Sequence, residues 1–246
     1  MIRRQYKNPP IEEALCELRF QGSAEWDLSA PAQFQERLRS TYGGKPRTQN
    51  VVATNVMAGS PQGPAALAVI QGQAKLQFPD ADGKRLVSVA PDLLSVHVLR
   101  PYGGWEDFHQ RIADALAAYE AILHPSGAVR LGVRYINRVA IRGENINLRS
   151  YFLCEPPQVE GLPASLASFV HRVEHVYEDG ARIFVTYASI DGAASPEFLL
   201  DLDVILDPSA PLPLDKVMAT VDELRDRERT AFEAIITSKS RELFDA

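Results

Sequence analysis

The stretch that most restricts what this chain can fold into is residues 129–142, Val-Arg-Leu-Gly-Val-Arg-Tyr-Ile-Asn-Arg-Val-Ala-Ile-Arg. β-Branched and aromatic residues recur there with a period of two, and no proline interrupts them, which is the pattern of a long strand. Side chains of a strand alternate between its faces. Arg130, Arg134, Arg138 and Arg142 therefore share one face, and Val129, Leu131, Val133, Tyr135, Asn137, Val139 and Ile141 share the other. A strand apolar on one side only has to cover a core, so it needs neighbouring strands and a further layer laid on them.

The rest of the chain supplies both. Residues 14–20 repeat the pattern, with Ala14, Cys16, Leu18 and Phe20 on one face and Glu13, Leu15, Glu17 and Arg19 on the other. A helix with Ser29 as its N-cap and Pro31 in its first turn carries Phe34, Leu38 and Tyr42 until Gly43-Gly44 stops it. Residues 51–58, 65–70, 75–78, 85–90 and 93–99 read as a strand meander broken by Gly, Pro and Ser. Phe108, Ile112, Ala115, Leu116, Tyr119 and Ile122 recur at helical steps and predict a helix over 105–123. Residues 143–163 read as a loop with at most a short helical turn. Strands follow over 167–177, 182–190 and 197–206, the first two joined by an Asp-Gly hairpin signal. A helix from 214 to about 237, with 240–244 as a final turn, closes the chain. This order predicts an α+β fold: a large antiparallel curved sheet with helices packed on one face, in a single domain spanning 1–246. Residues 1–124 and 128–246 share an order of strand, link, several strands and helix, as in a saddle of two similar halves or a helix-grip fold, although no residue-level repeat accompanies it.

Composition narrows the function classes. Hydrophobic residues at 46% and charged residues at 24% are those of a globular chain. A net charge of −6 argues against a broadly electrostatic nucleic-acid binder and leaves nucleic acid to a local basic patch. No apolar run is long enough to span a bilayer, so the expectation is a cytoplasmic protein with no membrane contact. Cys16 and Cys154 then read as buried small hydrophobes. No phosphate-cradling glycine loop or dinucleotide fingerprint is present, and Gly59-Ser60-Pro61-Gln62-Gly63 has the wrong spacing for a nucleophile elbow. His171 and His175 fall on a predicted strand, about 13 Å apart and too far to share a metal. No cofactor and no metal are expected.

The four arginines have two readings. Glu197, Asp201 and Asp203 share one strand face, so cross-strand ion pairs on the solvent side account for them at under about 1 kcal/mol each. Left unneutralised, Arg130, Arg134, Arg138 and Arg142 would instead form an anion-binding surface, since guanidinium suits bidentate contacts to carboxylate or phosphate. Asn137, on the apolar face, is either a fold-specifying contact or a ligand contact, because an unsatisfied buried amide costs about 1–3 kcal/mol. Tyr102 and Trp105, flanking Gly103-Gly104, are placed to staple the helix that follows. The charged run Arg225-Asp226-Arg227-Glu228-Arg229 interrupts the apolar stripe of the last helix, which speaks against a simple coiled-coil seam.

Several stretches together resemble a sporadically distributed family of bacterial proteins of about this length. They are Tyr6-Lys7-Asn8-Pro9-Pro10-Ile11 with Cys16-Glu17-Leu18-Arg19-Phe20, Pro91-Asp92-Leu93-Leu94-Ser95-Val96 with Tyr102 and Trp105, Arg130-Leu131-Gly132-Val133-Arg134-Tyr135-Ile136-Asn137-Arg138, and Phe232-Glu233 with Ile236-Thr237. The resemblance brings no catalytic residue with it. What it implies is a setting among accessory or mobile-element genes, phage-defence modules included. The expectation is a non-enzymatic binding module for an anionic ligand or a protein partner, or for a second copy of itself. An enzyme on a phosphate-bearing substrate is the alternative, and a scaffold docking through its C-terminal helix a third reading.

Overall fold

Two amphipathic strands, β1 (Ile11–Gln21) and β8 (Gly127–Ala140), pair antiparallel at the centre of the sheet, with Ala14 opposite Tyr135 and Leu18 opposite Leu131. The computed structural model describes residues 4–22, 26–27, 29–49, 52–57, 66–71, 74–143, 146–154, 160–163, 167–190 and 196–246. To one side of the central pair lie β7 (Leu93–Leu99), β6 (Arg85–Ala90), β5 (Lys75–Pro79) and β2 (Arg47–Gln49), in that order. To the other lie β11 (Glu197–Leu206), β10 (Arg182–Ile190) and β9 (Val170–Val176). Every neighbouring pair in this nine-stranded sheet is antiparallel. On each side a meander of three strands leads back to the central pair: β5-β6-β7 returns beside β1, and β9-β10-β11 beside β8. The α+β expectation holds.

One face of the sheet is the core face. Ala14, Cys16, Leu18 and Phe20 of β1, Leu131, Val133, Tyr135 and Val139 of β8, and Phe198, Leu200, Leu202 and Val204 of β11 are buried there. Three helices cover it. α1 (Ala30–Leu38) sets Phe34 against Phe78, and α2 (Trp105–Leu123) stacks Tyr119 on Phe20 at 4.5 Å between ring centres. α3 (Leu214–Ile235) packs on β8 and β11 through Val217, Val221, Leu224 and Phe232. A short α4 (Ser238–Asp245) brings Phe244 onto Tyr6 and Phe232.

The structure departs from the sequence expectations at several points, each for a local reason. Strand β8 spans 127–140, not 129–142. Arg19 faces Arg130 while Phe20 faces Ala128, so a bulge at Val129 turns Ala128 inward and leaves Val129 half-buried. Ser29 holds the cap position of α1, but the capping oxygen is Asp27 Oδ1, which accepts from the Ser29 and Ala30 amides at 2.8 and 3.0 Å. That helix ends at Leu38, yet Tyr42 still reaches the core. β3 (Val52–Met57) and β4 (Ala66–Gln71) pair only with each other rather than joining the large sheet. Val51, Ala58 and Ala65, the ends of those predicted strands, lie outside the described residues. Within 143–163 the described residues form one 3₁₀ turn, Leu148–Ser150. The predicted final turn is the full helix α4.

Leu202 is completely buried opposite Tyr135. Leu202→Ala is expected to cost about 2–5 kcal/mol in denaturant unfolding, without a change in slope that would signal a different denatured state.

Candidate functional site

The outer face of the sheet carries the arginines. Arg134 grips Asp201 with two bonds, Nε to Oδ1 at 2.8 Å and Nη2 to Oδ2 at 2.6 Å, and Asp201 is buried. Arg138 bonds Glu197, and Arg130 reaches Asp207 at 3.4 Å, a carboxylate that Arg182 holds more closely at 2.5 Å. Arg134 stands directly opposite Asp203 and Arg138 opposite Leu199, so each reaches a diagonal acid two residues along β11. That diagonal leaves Asp203 with no hydrogen bond or ion pair among the described residues. Burial pushes its carboxyl up to about 6, with Arg134 acting against the shift and Asp201 adding to it. Arg142 lies past the end of β8, exposed and without a partner among the described residues. Three of the four candidate arginines are thus ion-paired.

Towards β7 the same face is uncharged or paired. Glu13, His97 and Ser95 form a hydrogen-bonded series, 2.7 Å from His97 Nδ1 to the Glu13 carboxylate and 3.1 Å from His97 Nε2 to Ser95 Oγ. The hydrogen bond from His97 holds the Glu13 carboxyl below its ordinary value. The order matches a hydrolase relay, but Ser95 is 1% exposed in mid-strand, out of a substrate's reach.

Asn137 leads elsewhere. Its Nδ2 donates to the Leu200 carbonyl at 3.1 Å, which fixes β8 to β11, and its side chain also lines a cavity of about 40 Å³ at the end of the sheet. Pro9, Pro10 and Ile11 close that cavity on one side, Tyr102 and Tyr135 on another, and Arg225, Glu228, Arg229 and Phe232 of α3 on a third. A wider cleft of about 280 Å³ adjoins it and shares Tyr6, Tyr102, Arg225 and Arg229 with it, adding Arg4, Lys7, Trp105 and Glu106.

The local structure explains why these residues meet. Pro9-Pro10 holds the N-terminal segment extended, and Tyr6 is clamped by Phe232 and Phe244 while its hydroxyl donates to Glu233 at 2.9 Å. Tyr102 and Tyr135 share a hydroxyl–hydroxyl bond of 2.9 Å, and burial pushes both phenols up. Trp105 donates from Nε1 to Asp222 at 3.2 Å, joining α2 to α3, and the Arg225 guanidinium lies over its ring at 5.3 Å. The expected aromatic staple is therefore present, and it also walls the cleft.

Glu228 was missed by sequence reading. It is 4% exposed, lines the cavity, and makes no hydrogen bond or ion pair among the described residues. Burial pushes its carboxyl up to about 8, with Arg225 and Arg229 opposing and Glu233 reinforcing. The signal was available: Val217, Val221, Leu224, Glu228 and Phe232 keep one helical stripe, so a carboxylate occupies a core position.

Among the described residues no cluster of three or more His, Cys, Asp or Glu is arranged to hold a metal, and no helix is long and apolar enough to cross a membrane. Neither the protein-family models nor the curated proteins compared with this sequence give a match.

Three outcomes follow from these contacts. Arg134→Ala, which strands a buried Asp201, is expected to cost about 2 kcal/mol or more. Arg138→Ala, at an exposed pair, should cost under about 1 kcal/mol in the same denaturation assay. For Glu228 the folded state holds a proton that the unfolded state has released, so stability falls as pH rises from about 5 to about 8. Glu228→Gln removes that fall, and its gain in melting temperature over the wild type should widen across the same range.

Proposed function

We propose that this chain is a binding module, not an enzyme, and that its ligand is a small molecule seated in the cleft between the N-terminal segment, Tyr102–Trp105 and α3. One observation carries this reading. A carboxyl buried without a partner costs several kcal/mol unless something supplies its hydrogen bonds, and Glu228 is such a group facing an open space. Ligand sites of this kind combine aromatic walls with a few convergent polar groups. Here the walls are Tyr6, Tyr102 and Trp105, and the polar groups are Glu228, Arg225 and Arg229.

The arginine-bearing sheet face supports this role less well, because Arg130, Arg134 and Arg138 already have carboxylate partners. Arg225 and Arg229 of α3 are also paired, with Asp226 at 3.1 Å and Glu233 at 3.3 Å, but they line a cavity, so the anion-binding reading moves to them. Among the described residues that line the cleft none has the spacing of a nucleophile and its base, which favours binding over turnover.

A library of small neutral, cationic and acidic compounds, screened by thermal shift and tryptophan fluorescence on the intact chain, tests the reading. Compounds that bind the wild type and fail to bind Glu228→Leu, with the variant still folded by circular dichroism, are the expected result. A library with no Glu228-dependent binder overturns it.

A further inference from the structure

We propose that the inner cavity receives the acid group of a small ligand, a carboxylate or phosphate held between Arg225 and Arg229, with Glu228 as hydrogen-bond donor. The inference rests on the binding-module reading and adds the class of ligand to it.

Basic groups outnumber acids in the lining. Arg4, Lys7, Arg225 and Arg229 face the single acid Glu106 there; Arg4 is paired with Asp245, Arg225 with Asp226 and Arg229 with Glu233 from outside the cleft, and Lys7 pairs with no acid among the described residues. A cleft of one sign draws in ligands of the other. Arg225 has capacity to spare: its side chain is 12% exposed, yet its ion-pair partner Asp226, at 3.1 Å, is half exposed. A guanidinium offers five donors in a planar fork suited to carboxylate and phosphate oxygens. The space fits the group as well. A cavity of about 40 Å³ is a few waters in size; it takes an acid head and leaves the body of the ligand to Tyr6, Tyr102 and Trp105 outside.

Glu228 decides between a cation and an anion. The charged and titratable groups around it are Arg225, Arg229 and Glu233 on α3, Tyr102 before α2, Tyr135 on β8 and Tyr6 on the N-terminal segment. The tyrosines stay protonated, since burial raises all three. Two arginines beside the cavity repel an ammonium head. A carboxyl kept neutral by burial donates to an anion, as an apolar pocket allows; once ionised it repels that anion. Of the two hydroxyl hydrogens in the Tyr102–Tyr135 pair, their mutual bond uses one, and the other remains as a second donor.

The test is calorimetric titration of the intact chain from about pH 6 to about pH 9 with acetate, benzoate, inorganic phosphate, phenyl phosphate and benzylamine. Acids are expected to bind and benzylamine not. For acetate and benzoate, which do not titrate in this range, affinity should fall above about pH 8 towards about tenfold per pH unit. Glu228→Gln, a permanently neutral donor, should keep acid binding and flatten that profile, while Arg225→Ala weakens binding at least about tenfold. Binding by the carboxylates alone, or by the phosphates alone, identifies the acid and supports the proposal. Benzylamine binding that strengthens with pH overturns it, as does loss of acid binding in Glu228→Gln; both leave the binding-module reading standing. Failure of every acid also overturns it, and the Glu228-dependent compounds of the wider library then decide the parent reading separately.

Discussion

The antiparallel pairing of β1 with β8 is the constraint on which the rest of the structure depends. Each strand is apolar on one face only, so the pair fixes at once which side of the sheet is core and which is wet. The strands on either flank inherit that choice through their register. Three long-range consequences follow: the helices stack on the side of Phe20 and Tyr135, the acids of β11 come within reach of the β8 arginines, and Asn137 turns towards the helices. A one-residue slip would exchange the two faces and put Arg134 in the core.

Against that background Glu228 is an internal contradiction. Every other buried position on the stripe of α3 is apolar, and burying a carboxyl there without a hydrogen-bond partner costs free energy. Folded chains tolerate such groups where the surrounding packing over-determines the backbone, which the aromatic contacts of Phe232 with Tyr6 and Phe244 do here. The outer face follows the opposite rule. There most charges are satisfied in pairs, and Asp203, passed over by the diagonal pairing, is left without a partner among the described residues.

Much of the fold was legible because it rests on periodicity. The two central strands, the helices α2 and α3 and the hairpin at Asp179-Gly180 all declare themselves in spacing alone. The bulge at Val129 does not, since a two-residue repeat gives no sign of one inserted residue. The separation of β3 and β4 from the large sheet is likewise a matter of pairing partners, which local sequence leaves open. At the site, the arginines of β8 form a row that is visible in the sequence, whereas a cavity assembled from Tyr6, Tyr102, Asn137 and Glu228 exists only after distant segments meet. Asn137 was singled out as a polar residue on an apolar face, and the same reasoning applied to the stripe of α3 would have found Glu228.

The wall of the cleft is anchored differently from its floor. Strands β8 and β1 are tied into a continuous ladder, whereas residues 4–10 are held by Tyr6 between two phenylalanines and by backbone bonds at Asn8–Phe244 and Pro10–Arg138. Lifting that arm breaks no rung within the sheet, but it does break the bonds of Tyr6 to Glu233, of Arg4 to Asp245 and Arg229, and of Asn8 to Phe244 and Ala246. Floor and wall are thus released by different routes: the arm by breaking its bonds to α3 and α4, the strands beneath it only by unzipping the ladder.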